Sequence, residues 1–167
     1  MQNTVRLATR EDATELALLR WESRSDAERG LEDQARFLGR FHDWYQRTHG
    51  SPGWCTAVAQ THAGVCGCMY LQVVPTVPVP GMEARAWGYI THAFVRDRQR
   101  RAGLGTAMLA LLVAQGRLAG LTELHVWPSH DAISLYVRAG FMSPEAQRAF
   151  DPDEEPSYVL PLTGGGM

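Results

Sequence analysis

A run of arginines followed by two glycines is the part of the chain whose residues are best suited to chemistry. Arg100 and Arg101 precede Gly103 and Gly105, and an apolar pattern with helical spacing begins at Leu104. The first amide groups of a helix have no acceptor within that helix, and the helix dipole adds about half a positive charge at that end. Because glycine lets an anion approach the backbone closely, the segment predicts a phosphate site that suits a diphosphate.

Two competing interpretations of this segment differ in how well they fit. A dinucleotide-binding loop with the spacing G-x-G-x-x-G would need glycine where Met108 stands, and no strand–helix–strand unit surrounds the segment. That loop therefore fails on spacing. The plainer alternative, a solvated arginine turn before an amphipathic helix, stays open on the local pattern alone.

The same segment resembles the coenzyme A signature of the GCN5-related N-acetyltransferases, which reads Arg/Gln-x-x-Gly-x-Gly/Ala. Residues 100–105, RRAGLG, fit that signature at every position. A second block, residues 132–141, resembles the A-x-x-LY-x-x-x-GF helix of the family, and residues 5–12 are typical of its members. The two blocks occur in the order that the family has, so the resemblance covers nearly the whole chain.

The resemblance implies that acetyl-CoA is the cosubstrate and that no metal takes part. The implied contacts with its pyrophosphate are made by Arg100, Arg101, Ala102, Gly103, Leu104, Gly105 and Thr106. Backbone groups of Phe94 and Val95, at the end of the fourth strand, would pair with the pantetheine arm. Ser129 stands where the family often has asparagine, so its shorter hydroxyl leaves that contact open.

Tyr136 falls on the tyrosine with which the family protonates the departing thiolate. A phenol has a pKa of about 10, so it is protonated at pH 7 and can donate a proton. The alternative is that Tyr136 only packs beside Phe141. An acyl-CoA-binding regulatory module without turnover is the corresponding alternative for the whole protein.

The residue that accepts the proton of the amine is open. His92 lies on the fourth strand and has a suitable ordinary pKa, so it is the first candidate, acting directly or through water. Glu83 is the only acid between Asp43 and Asp97, and it lies before that strand. A water relay without one dominant residue is a third interpretation, and His125 is a weaker candidate.

These residues must be positioned by strands and helices that the periodicity of the chain predicts. The pattern predicts strands at residues 5–8, 54–60, 65–74, 86–95, 124–127 and 158–162, and helices at residues 10–20, 31–48, 104–118 and 132–138. The resemblance implies the α/β acyl-CoA N-acyltransferase (GNAT) fold, a mixed, mostly antiparallel sheet with helices on both faces. Its central parallel strands are expected to splay and admit the cofactor.

The length and composition favour one globular domain over residues 1–167, with residues 163–167 as a frayed tail. All 16 basic residues are arginines, which excludes lysine-dependent Schiff-base, pyridoxal and P-loop chemistry. The three cysteines are an odd number without a C-x-x-C pair, so a disulfide framework is not expected. Cys66 and Cys68 should share one face of a strand as small buried residues.

The net charge of −2 predicts no nucleic-acid or membrane partner. No signal-peptide pattern is present at the N-terminus, which predicts a cytoplasmic protein. We expect a small-molecule amine as the acceptor in preference to a protein. Dimers are frequent among family members, so a homodimer is compatible with the resemblance.

Aromatic residues outside these motifs leave two interpretations open. Trp21, Trp44, Tyr45, Trp54 and Trp87 could form the walls of an acceptor pocket, or they could belong to the core. Acidic residues and arginines alternate between residues 20 and 36, and their net charge is near zero. Such a mixture is typical of a solvated helix face.

Overall fold

Six strands form one sheet in the computed structural model, which describes residues 3–147 and 156–162. In sheet order they are β1 (Thr4–Leu7), β2 (Trp54–Thr61), β3 (Gly64–Pro75), β4 (Ala86–Val95), β5 (Glu123–Val126) and β6 (Tyr158–Pro161). Neighbouring strands are antiparallel except β4 and β5, which are parallel. The predicted mixed, mostly antiparallel sheet is confirmed. The tail at residues 163–167 lies outside the described residues.

The described residues form five α-helices, and helices pack on both faces of the sheet. They are α1 (Ala13–Glu22), α2 (Asp26–Arg29), α3 (Gln34–Thr48), α4 (Leu104–Leu118) and α5 (Ile133–Arg138). Among them, only α2, a single turn, was not predicted. Within the described part of the chain, no helix has the length and apolar character needed to cross a lipid bilayer.

The core divides into two clusters that the sheet separates. Alternate residues of β2 point to opposite faces, so Ala57 and Ala59 pack in the cluster with α4 and Val58 packs in the other. The α4 side buries Met108, Leu112 and their neighbours, whereas α1 and α3 supply the second cluster, including Leu16 and Tyr45. Both faces of β2 and β3 are therefore covered.

The parallel junction between β4 and β5 is short. Register pairs join only Gly88 with Leu124 and Tyr89 with His125. Beyond them the two strands diverge, so β4 from Ile90 to Val95 has no ladder partner on its β5 side among the described residues. The backbone groups along that edge are available to a ligand lying between the strands.

A β-bulge interrupts β4 at His92. Cys68 pairs with Phe94 and Tyr70 pairs with Thr91, so β4 contains one residue more than β3 over this interval. His92 takes up the extra length with φ at +49°, in the left-handed region that non-glycine residues rarely adopt. The bulge changes which side chains of β4 face each side of the sheet.

A second bulge corrects the expectation that Cys66 and Cys68 share one face. Ala59 pairs with Gly67 and Gln60 pairs with Val65, so Cys66 is the extra residue of β3. As a result Cys66 packs in the α4 cluster and Cys68 packs in the opposite one. All three cysteines are free, and burial raises the pKa of Cys68 to about 12.

Candidate active site

A cavity of about 660 Å³ opens beside the end of β4, between the first turn of α4 and the segment that runs from Ser129 into α5. We call it the β4–α4 cleft. It brings together nine of the predicted cofactor residues: Phe94, Val95, Arg100, Arg101, Gly103, Leu104, Gly105, Thr106 and Ser129. Ala102 does not line it. The residues gathered here come from a strand end, a loop and a helix start, as an anion-binding site at a helix N-terminus requires.

The start of α4 gives one end of the β4–α4 cleft a positive potential. Gly103 precedes the helix with φ at +75°, a conformation that costs glycine little. No acidic residue lies in the first turn of α4, and the first backbone hydrogen bond of the helix runs from Ala107 to Gly103. The amides of Leu104, Gly105 and Thr106 therefore have no acceptor within the helix.

The two arginines before α4 differ in what they already contact. Arg100 donates from Nε to the carbonyl oxygen of Val95 at 3.0 Å and pairs with Asp97 at 2.9 Å. Arg101, at φ +63°, makes no side-chain hydrogen bond or ion pair with the described residues. Arg100 therefore holds the end of β4, while the guanidinium of Arg101 can bind a phosphate.

The wall formed by β4 depends on a close approach between strands. A Cβ atom on Gly67 would lie 2.9 Å from the carbonyl oxygen of Phe94 and 3.0 Å from Val95 Cγ2. Any larger residue would push β4 away from β3, so glycine at this position keeps the wall of the cleft in place.

Several lining residues were missed by the sequence analysis. Besides the predicted residues, the cleft is lined by Met69, Ala93, Gln99, Met108, Asp131, Ala132, Ser134, Leu135 and Arg138. Ala132, Leu135 and Arg138 recur every three residues around α5, so helical spacing within the second sequence block could have identified them. Arg138 adds a further positive charge to the cleft.

Tyr136 lies behind the lining of the β4–α4 cleft and belongs to the α4 cluster. Its side chain is almost fully buried, and its ring meets Phe141 edge-on at 5.4 Å between centroids. Burial, with a smaller contribution from Tyr89, raises the pKa of Tyr136 to about 12. No hydrogen bond from a described residue engages its hydroxyl, so that group is a protonated donor at neutral pH.

A second cavity, of about 510 Å³, lies at the bulge of β4, and we call it the α1–α3 cavity. It is lined by Arg20, Phe37, Arg40, Phe41, Trp44, Arg47, Trp54, Tyr70, Thr91 and His92. Thr91 and His92 face this cavity while Ala93 to Val95 face the β4–α4 cleft. The rings of His92 and Phe94, one from each, are stacked with centroids 6.5 Å apart.

His92 has properties different from those expected of a base. Arg20 Nη1 lies 2.7 Å from His92 Nδ1, and since a guanidinium can only donate, Nδ1 accepts and the ring proton resides on Nε2. Nε2 is closed off from solvent and has no partner among the described residues. Burial, then the charges of Arg20 and Arg24, lower the pKa of His92 to about 3, so the ring is neutral.

The other two candidates for the base lie outside both cavities. Glu83 is exposed in the turn before β4. His125 is held between Ser157, at 2.9 Å from Nδ1, and Glu123, at 2.9 Å from Nε2. Of the described residues, the only carboxylate that lines either cavity is Asp131, in the β4–α4 cleft.

Comparison with known proteins agrees with this architecture. Residues 14–141 match the model of a family described as the Acetyltransferase (GNAT) family. No curated protein matches the chain.

Solved structures with the same fold include proteins bound to the expected cosubstrate. A predicted acetyltransferase from Clostridium acetobutylicum, solved with acetyl-CoA, is 18% identical over 92% of this chain and 94% of its own, with a TM-score of 0.70. A GNAT family N-acetyltransferase from Escherichia coli, in complex with CoA, is 19% identical over 98% and 83%, with a TM-score of 0.65. Glucosamine-6-phosphate N-acetyltransferase from Arabidopsis thaliana is 14% identical over 93% and 99%, with a TM-score of 0.66. At these identities the likeness is one of fold.

Proposed function

Because the chain belongs to the acetyltransferase (GNAT) family, we propose that it transfers an acetyl group from acetyl-CoA to a primary amine by direct attack in a ternary complex. The observation that carries this proposal is that consecutive residues of β4 line two cavities, one with an anion-binding helix start and one with aromatic walls. The second cavity has the size of a small-molecule site, which favours a small amine as the acceptor over a protein.

The β4–α4 cleft fits the chemistry of coenzyme A from end to end. Arg101 and the amides at the start of α4 would hold the pyrophosphate, because both groups donate to phosphate oxygens. The backbone N–H of Val95, whose carbonyl oxygen already accepts from Arg100, would pair with the pantetheine arm on the edge of β4 that β5 does not cover, and Phe94 would contact the arm through its side chain. Ser129, which lines the same cleft, is available as a further donor.

Tyr136 would act as a hydrogen-bond donor to the leaving sulfur. With its pKa near 12 and that of a thiol near 8.5, complete proton transfer to a thiolate would be uphill by about 4–5 kcal/mol. A phenol held protonated in a buried site still stabilises the charge that develops on sulfur as the thioester breaks. We therefore assign Tyr136 the role of a donor and leave the final protonation of the thiol to solvent.

The amine would lose its proton to water rather than to His92. Both ring nitrogens of His92 are occupied, because Nδ1 accepts from Arg20 and Nε2 carries the ring proton, so His92 has no free lone pair to accept the proton of the amine. The α1–α3 cavity is lined by three arginines, and their positive charge lowers the pKa of an ammonium bound among them. His92 is then a positioning residue, which orients Arg20 through Nδ1.

Binding and turnover measured together test the proposed function. Titration calorimetry should detect acetyl-CoA binding, and a panel of amines should include at least one that releases free coenzyme A. Binding without release from any amine would favour a regulatory acyl-CoA-binding module. Failure to bind acetyl-CoA would contradict both functions.

Arg101→Asn should weaken the binding of coenzyme A about tenfold and leave the binding of pantetheine, which lacks phosphate, nearly unchanged. Asparagine tolerates the left-handed conformation at this position, so the loss of charge comes without added backbone strain. Arg98→Asn makes the same charge change on an exposed residue outside the β4–α4 cleft and should have little effect. Equal losses for coenzyme A and pantetheine would remove the phosphate assignment.

A further inference from the structure

We propose that the α1–α3 cavity selects an amine that carries an anionic group on an aromatic or similarly flat apolar body, and that Arg20 binds the anion. This inference rests on the proposed function, because it names the class of acceptor that the transferase would use. The anionic group is a carboxylate or a phosphate-like group, since a guanidinium recognises both through the same pair of donors.

The charges that line the α1–α3 cavity are all positive among the described residues. Arg20, Arg40 and Arg47 contribute guanidinium groups, and no aspartate or glutamate lines it. Arg40 is compensated by Glu32, whose Oε2 lies 2.6 Å from Nη2. A dicationic or polycationic acceptor would meet uncompensated repulsion here, whereas an anion would be attracted.

Arg20 is the one arginine lining this cavity that is partly buried without an opposite charge among the described residues, since Arg47, which also lacks a carboxylate partner, is exposed. Among the described residues no carboxylate lies within 4 Å of its guanidinium, and its side-chain partner is the neutral ring of His92. Burial, followed by repulsion from Arg24, lowers the pKa of Arg20. Burying a charged guanidinium without a counter-ion costs desolvation free energy, and arginine cannot avoid that cost by losing its proton. An anionic partner would therefore stabilise Arg20.

The aromatic walls fix the character of the rest of the acceptor. Phe37, Phe41, Trp44, Trp54 and Tyr70 surround the cavity. Trp44 lies 5.2 Å from Phe41 and 5.4 Å from Trp54 between ring centroids, in tilted and edge-on arrangements that leave ring faces and edges for a further flat group. The walls therefore suit an aromatic body more than a flexible polar chain.

The position of Arg20 also limits the distance between the anion and the amine. Arg20 contacts His92, and the β4–α4 cleft begins at the next residue, Ala93. An acceptor whose anion meets Arg20 must therefore carry its amine only a few bonds away if the amine is to reach a thioester at that boundary. An α-amino acid with an aromatic side chain has this arrangement.

Four amines that share one phenyl ring would separate the contribution of the anionic group from that of the aromatic ring. They are phenylalanine, its phosphonate analogue 1-amino-2-phenylethylphosphonate, phenylalaninamide and 2-phenylethylamine. With kcat/KM expressed per concentration of unprotonated amine, we expect the better of the two anionic compounds to exceed the neutral amide and the simple amine by about 10- to 100-fold. The ranking of carboxylate against phosphonate then identifies which anionic group the cavity prefers.

Arg20→Gln should reduce kcat/KM for the two amines with an anionic group by about 10- to 100-fold. It should change kcat/KM for the two amines without an anionic group by less than about threefold. Arg117→Gln, at the last turn of α4, removes a charge far from both cavities and serves as the matched control. Circular dichroism and acetyl-CoA binding verify that each variant is folded.

Equal acetylation of all four amines, or an equal loss for all four in Arg20→Gln, would overturn the proposal. Turnover that occurs only with a polyamine or another cationic acceptor would also overturn it while leaving the proposed function intact. The proposed function itself fails only if acetyl-CoA does not bind or no amine releases coenzyme A, so the two failures are distinguishable.

Discussion

Tyr136→Phe should lower kcat about 100-fold while the affinity for acetyl-CoA changes by less than about twofold. The substitution removes only the hydroxyl, and the ring keeps its edge-on contact with Phe141 in the α4 cluster. Since no hydrogen bond from a described residue engages that hydroxyl, the folded protein should lose less than about 1 kcal/mol of stability. Loss of one positioned hydrogen-bond donor to the charge that develops on sulfur accounts for a rate effect of this size.

Tyr45→Phe is the matched control for Tyr136→Phe. Tyr45 is equally buried, its hydroxyl donates to the carbonyl oxygen of Thr9 at 3.1 Å, and it lines neither the β4–α4 cleft nor the α1–α3 cavity. We expect this variant to lose about 1 kcal/mol of unfolding free energy and to keep its kcat. If Tyr136→Phe turned over as fast as the unmodified protein, Tyr136 would be a core residue without a catalytic role.

The pH dependence of kcat gives a second measure of the same assignment. The pKa of Tyr136 is raised to about 12 and that of His92 is lowered to about 3, so neither residue changes its charge between about pH 5 and pH 10. The rate should rise with pH as the bound ammonium loses its proton, and then remain level. A step near pH 6.5 that disappears in His92→Gln would instead identify His92 as the base.

Gly105→Glu should weaken acetyl-CoA binding at least about 100-fold and raise the stability of the protein. A Cβ atom on Gly105 would meet only Leu135 Cδ2, at an ordinary 3.6 Å, so the backbone has room for a side chain. Glutamate is a better helix former than glycine and suits the positive end of α4, which adds about 0.5–1 kcal/mol of stability. The same carboxylate repels a pyrophosphate by about 4 kcal/mol per charge at close range.

Gly105→Gln separates charge from size. Glutamine has nearly the shape of glutamate, so an affinity loss due to crowding alone would be the same in both variants. We expect titration calorimetry to show a loss of about tenfold or less for glutamine. Similar losses in the two variants would mean that steric exclusion, and not the potential at the start of α4, governs this position.

The β4–α4 cleft could be predicted from the sequence because its parts are local. Residues 94–106 run continuously from a strand end to a helix start, and glycine, arginine and helical periodicity mark such a turn directly. The strands and longer helices were predictable for the same reason, since runs of strand-forming or helix-forming residues are bounded by glycine, proline and capping residues close in sequence.

The α1–α3 cavity could not be predicted because its parts are distant in sequence. Arg20 and His92 are 72 residues apart and meet only after α1 packs against the sheet. The bulge that turns His92 toward Arg20 leaves no mark in the residue pattern of β4. Helical spacing alone left Trp44 and Tyr45 equivalent, but α3 directs Trp44 to the cavity and Tyr45 to the core.

Because the junction between β4 and β5 is short, a cosubstrate bound along β4 would affect how firmly the two parts of the sheet are held together. Two register pairs, with the hydrogen bonds from Thr122 to Ala86, are the ladder contacts that tie β5 and β6 to the other four strands in the described chain. A pantetheine arm paired with the free edge of β4 would also contact the segment that follows β5, and so would add contacts between the two parts of the sheet. Binding to the folded protein would then raise the free energy needed to separate the two parts of the sheet, so ligand affinity and the stability of the sheet would be linked.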